Sequence, residues 1–288
     1  MGWFIPRPIY AQQKEAPVTS GAADGSIPRP KIDTTVPHSA RIWNYWLGGK
    51  DNYPVDRQAG EQTIAVLPEI VEIARASRSF LARVVWYLAA EAGIRQFLDI
   101  GTGLPTVNNT HEVAQRAASE SKVVYVDNDP LVLVHARALL TSSPEGTTDY
   151  IEADARDVST ILDRAAVTLD FTQPIAITML GILPFINNDD EAKAIVTRLL
   201  AAVPAGSYLA ITHSTSEVTG ERVIEAVRQW NQVAPTPYTL RSPEQIASFF
   251  QGLELVEPGI VSCPQWHPEA QDLGSARKMD EFCALGRK

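Results

Sequence analysis

Cysteine is almost missing from these 288 residues: only Cys263 and Cys283 occur, with no Cys-x-x-Cys pair. That excludes a disulfide framework and leaves no cysteine zinc site. Long apolar runs are missing too, so no segment reads as a membrane span and no membrane partner is expected. Positive charge is scarce, with 25 Lys and Arg against 34 Asp and Glu and a formal net charge of −9. A general nucleic-acid binder needs a basic face, so nucleic acid is not an expected partner, although a local basic groove stays open. No internal repeat is visible. Residues 1–30 are rich in Pro, Gly, Ala and Ser, with scattered apolar positions and no signal-peptide core; they read as a mobile tail on a cytoplasmic protein. The remaining length and the 45% hydrophobic content suit one α/β domain with an added helical segment, as a monomer or homodimer.

The most informative segment is Phe97-Leu98-Asp99-Ile100-Gly101-Thr102-Gly103-Leu104-Pro105-Thr106. A short apolar run ends in two glycines, and a helix-compatible stretch with Val107, Val113 and Ala114 follows. This is a strand feeding a tight turn that opens a helix. Gly101 and Gly103 allow backbone angles and a close ligand approach that a side chain would forbid. A dinucleotide fingerprint requires a third glycine where Thr106 stands, so that match fails. Asp-x-Gly-x-Gly instead resembles the first motif of class I S-adenosylmethionine (SAM) methyltransferases, with Pro105 at the usual third glycine.

Two further strand tips carry acids. Residues 123–126 form a β-branched run ended by Asp127, followed by Asn128-Asp129-Pro130. A carboxylate there suits the hydroxyls of a ribose. The competing role is a helix cap, which Asp129 before Pro130 fits better. The strand at 149–153 leads to Asp154-Ala155, the position of adenine recognition in class I methyltransferases. A fourth run, 175–183, contains Leu180 and Gly181 and would end beside the cofactor. Further strands are expected at 207–212, 253–257 and 281–285, and helices at 131–140, 191–203, 217–233 and 242–250. The alternation implies a mostly parallel sheet.

Before the sheet, residues 37–57 combine three aromatics (Trp43, Tyr45 and Trp46) with Gly48-Gly49-Lys50-Asp51-Asn52. A helix at about 69–92 follows. The segment is either a lid packing its aromatics on the sheet edge or one whose polar turn closes over a ligand. Ala40, Arg41, Tyr45 or Trp46, and residues 47–53, with the glycine turn, make the chain similar to the bacterial S-adenosyl methyltransferase family first catalogued as a domain of unknown function. The family's Asn-Arg pair corresponds to Ser77-Arg78. The resemblance covers about residue 32 onward. It implies a class I methyltransferase (Rossmann-like) α/β fold with a mostly parallel seven-stranded sheet and an N-terminal helical lid. It divides the chain into a tail at 1–30, a lid segment at 31–92 and a SAM-binding core at 93–288.

The implied cofactor is S-adenosyl-L-methionine. Its expected contacts are Arg41, Tyr45, Gly49, Asp51, Arg78, Asp99, Gly101, Thr102, Gly103, Asp127, Asn128, Asp154, Ala155, Leu180 and Gly181. Methyl transfer from a sulfonium needs mainly alignment, and a base only when the nucleophile arrives protonated. His213 is the foremost candidate base, with His38 and Asp51 behind it; a structural role for a lone His competes. Asn187 to Asp190 suggest either a magnesium site or, more simply, a helix cap; no metal is expected. The expected activity is SAM-dependent methyl transfer to a small molecule, such as a secondary metabolite. A SAM-binding regulatory protein and a nicotinamide oxidoreductase are the alternatives.

Overall fold

The computed structural model describes residues 32–139, 142–268 and 276–288. The tail expected at 1–30 lies outside the described residues. Three helices come first: α1 (Ser39–Trp46), α2 (Pro54–Val66) and α3 (Ile70–Trp86), the last continuing into a π-helical turn at Tyr87–Glu91. The alternating part runs β1 (Gln96–Ile100), α4 (Thr110–Ala117), β2 (Lys122–Asp127), α5 (Pro130–Leu139), β3 (Thr147–Glu152), α6 (Val158–Ala165), β4 (Ala176–Leu180), α7 (Asp189–Ala202) and β5 (Tyr208–Ser214). The chain closes with α8 (Glu221–Val233), α9 (Pro243–Ala247), β6 (Glu254–Leu255), β7 (Val261–Ser262) and β8 (Glu281–Arg287).

The strands form one sheet in the order β3-β2-β1-β4-β5-β8-β6, with β7 also pairing β8. Strands β1 to β5 are mutually parallel and β8 is antiparallel to β5. The sheet has eight strands rather than the expected seven because the two-residue β7 is too short to leave a pattern in sequence. All five β1 residues are buried, as a strand covered on both faces requires. Side chains alternate between two cores. Leu98, Ile100, Val124, Ile177 and Ile211 pack toward α6, α7 and α9, while Phe97, Val123, Tyr125, Ala176 and Ala210 pack toward α3 and α4. Strand order reverses between β1 and β4, which opens a crevice at their carboxyl ends.

The helix after the glycine turn begins later than its sequence suggested. Residues 101–109 form a loop, Asn108 takes a positive φ, and Val107 is 79% exposed instead of lying on a helix face. Asn109 and Glu112 then cap α4 reciprocally, with Asn109 N donating to Glu112 Oε2 at 2.9 Å. Asn188 caps α7 by accepting from Glu191 N at 2.9 Å. No helix among the described residues is long and apolar enough to cross a membrane.

The α1–α2 unit is tied together by buried charge. Asp56 is fully buried and accepts from His38 N at 2.9 Å and Tyr53 N at 2.8 Å. The Arg41 guanidinium lies 3.7 Å from Asp56 and 3.6 Å from Asp129, just beyond β2. Removing one partner of a buried pair leaves the other uncompensated. Asp56→Ala is therefore expected to destabilise the protein by about 3 kcal/mol, read as a drop in the urea midpoint. A midpoint unchanged from wild type would show that this cluster does not hold the lid.

Candidate functional site

A cavity of about 290 Å³ opens at the carboxyl ends of β1, β2 and β4 and runs beneath α1, α3 and α8. Its floor is the glycine turn. Gly101 and Gly103 have φ of +74° and +67°, angles that other residues adopt only with strain. Gly101 N donates to Val126 O at 2.8 Å, fastening the turn to β2. A Cβ on Gly101 would collide with the Ile182 side chain, whereas a Cβ on Gly103 would meet nothing within 4 Å. The space above Gly103 is thus open for a ligand.

Three strand-tip carboxylates converge on this cavity: Asp99, Asp127 and Asp154. Asp99 is buried and accepts from Thr178 Oγ1 at 2.7 Å and Thr110 Oγ1 at 2.6 Å. Burial pushes its carboxyl up, and the two hydroxyls with nearby Arg78 oppose that shift. Asp127 accepts from Gly103 N at 2.8 Å and Asp129 N at 2.9 Å. Burial raises its carboxyl as well, against the pull of those two donors. Each of its oxygens keeps a second lone pair for a ligand hydroxyl. Asp154 accepts from Arg156 N at 2.8 Å and is partly exposed. Arg78 donates to Asn109 Oδ1 at 2.9 Å and to Val107 O at 3.3 Å, bracing the loop after the glycines.

Eleven of the residues expected to contact the cofactor line this one cavity: Arg78, Asp99, Gly101, Thr102, Gly103, Asp127, Asn128, Asp154, Ala155, Leu180 and Gly181. Four others do not. Arg41 points away from the cavity, donating to Asp33 O and Val36 O and facing Asp56 and Asp129. Tyr45 donates to Glu61 on the outer side of α2. Gly49 lies against the Asn44 side chain, and its N–H donates to Asn44 O at 2.8 Å. Asp51 is half-exposed near His135. Residues 37–57 instead reach the cavity through His38, Ser39, Ala40, Trp43, Asn44, Trp46 and Leu47. Helix α1 turns its apolar side inward, and its charged side is consumed within the lid.

His213 is also absent from the cavity wall. It is fully buried, and Arg241 Nη1 donates to its Nε2 at 2.9 Å. Arginine has no acceptor, so the imidazole proton sits on Nδ1 and donates to Ser214 O at 2.8 Å. Burial, with Arg241 beside it, drives the ring down to about 3, which keeps it neutral. With both nitrogens engaged, this expected base serves to hold Arg241. That guanidinium donates in turn to Leu183 O, Ile186 O and Asp189 Oδ1 at 2.8, 2.7 and 2.9 Å. Among the described residues, no group of three or more His, Cys, Asp and Glu is arranged to hold a metal.

A polar group that sequence reasoning missed lies at the opposite wall. Glu281, fully buried at the start of β8, accepts from Ser214 Oγ at 2.6 Å. Ser214 Oγ is 2.7 Å from the Tyr238 hydroxyl. Ser214 and Tyr238 both line the cavity. The trio spans 67 residues of sequence and has no motif; only the antiparallel register of β5 and β8 joins Ser214 to Glu281. Burial pushes the Glu281 carboxyl up to about 7. Between the ordinary carboxylate value and about 7, the folded protein keeps a proton that the unfolded chain releases. Stability is therefore lost as pH rises through that window, by on the order of 3 kcal/mol. Glu281→Gln removes this loss. Its melting temperature relative to wild type is expected to be several degrees higher at pH 8 than at pH 5, by calorimetry at both pH values. An equal difference at the two would contradict a protonated native carboxyl.

Comparison with known proteins agrees with this geometry. Residues 26–288 match the S-adenosyl methyltransferase family. A DUF574 family protein from Streptomyces avermitilis is 47% identical, with a TM-score of 0.86 over 90% of this chain and all (100%) of that one. A candidate methyltransferase from Thermobifida fusca is 37% identical, with a TM-score of 0.81 over 91% of this chain and 98% of that one. An O-methyltransferase family protein from Burkholderia thailandensis, 14% identical with a TM-score of 0.50, covers 85% of this chain and 63% of its own; it shares the fold alone. No curated protein sequence matches the chain. With the match spanning nearly the whole sequence and the glycine turn and acidic strand tips opening on one cavity, the chain belongs to the S-adenosyl methyltransferase family, as a SAM-dependent methyltransferase of class I fold.

Proposed function

We propose that this enzyme methylates a small molecule bound beneath α1, α3 and α8, with SAM held on the strand tips by Arg78, Asp99, Gly101 to Gly103, Asp127, Asn128, Asp154, Ala155, Leu180 and Gly181. The observation that carries this reading is the convergence of Asp99, Asp127 and Asp154 with the glycine turn on a cavity that continues into an apolar compartment.

The residues suit SAM chemically. The open space above Gly103 admits a ligand against the backbone. The Thr106 hydroxyl, on the cavity wall, is buried without a hydrogen-bond partner, an arrangement that costs free energy unless a ligand supplies one. The carboxylates at β1 and β2 match an ammonium and a ribose, and Arg78 matches a carboxylate. When bound, SAM supplies an electrophilic methyl group on a sulfonium that leaves as a neutral thioether. The protein's part is to bind, orient and exclude water. Alignment of this kind is worth roughly 7–11 kcal/mol of barrier. Trp43, Leu47 and Ile182 give the cavity apolar walls on the lid side and beyond β4, which strengthens electrostatic contacts inside it.

Asp127 provides the sharpest test of the cofactor assignment. Losing a charge-assisted pair of hydrogen bonds is expected to cost on the order of 2–3 kcal/mol, so Asp127→Ala binds SAM about 30- to 150-fold more weakly by isothermal titration. Unchanged affinity in a folded variant would sink the ribose role. Conversion of SAM to S-adenosylhomocysteine in the presence of a metabolite extract is expected for wild type; binding without any turnover would instead mark a regulatory SAM-binding protein.

A further inference from the structure

The cavity divides by chemistry. Its basic residues are His38 below the lid, Arg78 beside Asp99 and Arg156 beside Asp154. The far compartment is built otherwise. Ile70 and Ile73 of α3 face Val223 and Trp230 of α8 across it, one helical turn or two apart on each element. Phe185 closes one side, its ring 5.0 Å from Tyr238 edge-on and 6.5 Å from Trp230. Arg156 reaches its edge, donating to Phe185 O at 3.0 Å, and is already paired with Asp154 and Glu191 at 3.3 Å each.

The polar function here is the Tyr238–Ser214–Glu281 chain, and the charge on Glu281 sets its direction. With Glu281 ionised, Ser214 donates to the carboxylate and Tyr238 O–H donates to Ser214 Oγ. In that state the tyrosine oxygen is left with lone pairs and no proton of its own to offer. Its backbone is clamped to α8, Tyr238 N donating to Asn231 Oδ1 at 2.7 Å and Asn231 Nδ2 donating back to Tyr238 O at 2.9 Å. A compartment with largely apolar walls, an Asp280 carboxylate already held by Val218 N, Thr219 N and the Thr219 hydroxyl, and one pre-aimed acceptor disfavours carboxylates and phosphates, whose desolvation no unpaired cation among the described lining residues repays. It favours a neutral molecule that donates a hydrogen bond.

We propose that the methyl acceptor is an uncharged, largely apolar or aromatic molecule carrying a hydroxyl, and that Tyr238, backed by Ser214 and Glu281, receives its proton. This rests on the methyltransferase reading above. In the step, the acceptor O–H bond breaks and its proton moves to the Tyr238 oxygen. The Tyr238 proton moves to Ser214 and the Ser214 proton to Glu281. The freed oxygen pair forms the bond to the methyl carbon, and the carbon–sulfur pair departs with the neutral thioether. Glu281 then returns its proton to solvent. Glu281 ends near neutrality because burial raises it to about 7. The titratable neighbours it acts on are Tyr238 and Cys263, both pushed up themselves, and neither supplies positive charge.

Equilibrium dialysis of the full chain against 1-naphthol, 1-naphthoate and naphthalene tests this. Naphthol is expected to bind at least about tenfold more tightly than naphthoate. Tyr238→Phe is expected to weaken naphthol by about tenfold while leaving naphthalene unchanged. Ser214→Ala, a smaller change at the same chain, serves as a second variant if Tyr238→Phe is unfolded by circular dichroism. Wild-type affinity for naphthol is expected to fall several-fold below about pH 7, and Glu281→Gln to remove that dependence. Naphthoate binding as tightly as naphthol, Tyr238→Phe weakening both apolar probes alike, or a pH dependence surviving in Glu281→Gln would overturn the proposal. SAM is titrated in parallel. Failure of SAM to bind, with the naphthol pattern intact, would count against the methyltransferase reading alone.

Discussion

The carboxylates at the end of β2 and just beyond it hold the site together. Asp127 grips the glycine turn through Gly103 N and its own flanking loop through Asp129 N. Asp129 meets Arg41 at 3.6 Å and His38 Nδ1 at 3.1 Å, both on the lid segment. Two buried acids thus connect β1, β2 and the lid. Burying them is costly unless each is hydrogen-bonded or paired, and that requirement dictates the shape of the loop and the seating of α1. Asp127, which grips the glycine turn, and Asp129, which meets Arg41, are two residues apart.

This arrangement explains how the lid meets the cavity. A helix next to a ligand can offer its polar or its apolar side. Here the polar side is used up by Asp56, Asp129 and the backbone carbonyls of residues 33 and 36. Trp43 and Leu47 are left to face inward. Helix α1 therefore presents mainly apolar side chains to the cavity, and the acidic groups that line it stand largely at the strand tips. At the far wall the roles reverse. There β5 and β8 bring the buried Glu281 beneath the hydroxyls of Ser214 and Tyr238.

The local parts of the structure were legible in the sequence. The apolar run before Gly101, the β-branched run before Asp127 and the alternation of strands with helices each reflect short-range backbone preference and a two- or 3.6-residue burial period. The acids Asp99, Asp127 and Asp154 were readable because a strand tip, a turn and a helix start are contiguous in sequence. The helical segment before the sheet was readable as distinct, since paired glycines beside clustered aromatics are unusual. The facing of its side chains was not. Arg41, Tyr45 and Asp51 look like ligand contacts by residue type, and only their neighbours at 56, 61, 129 and 135 show that each pairs within the protein instead of lining the cavity.

The order of elements, the glycine turn and the row of acidic strand tips follow from residues within a few positions of one another. Which polar groups remain available to a ligand follows only from packing between distant segments. His213 and Glu281 are both buried ionisable residues on neighbouring strands, with Cα register partners one residue apart. Arg241, from a segment 28 residues away, occupies the histidine. Among the described residues no ion pair is formed by Glu281; Ser214 and Tyr238 connect it to the cavity. Whether a buried group serves structure or chemistry depends on what desolvates it and what pairs with it, and those partners are set by packing between distant segments.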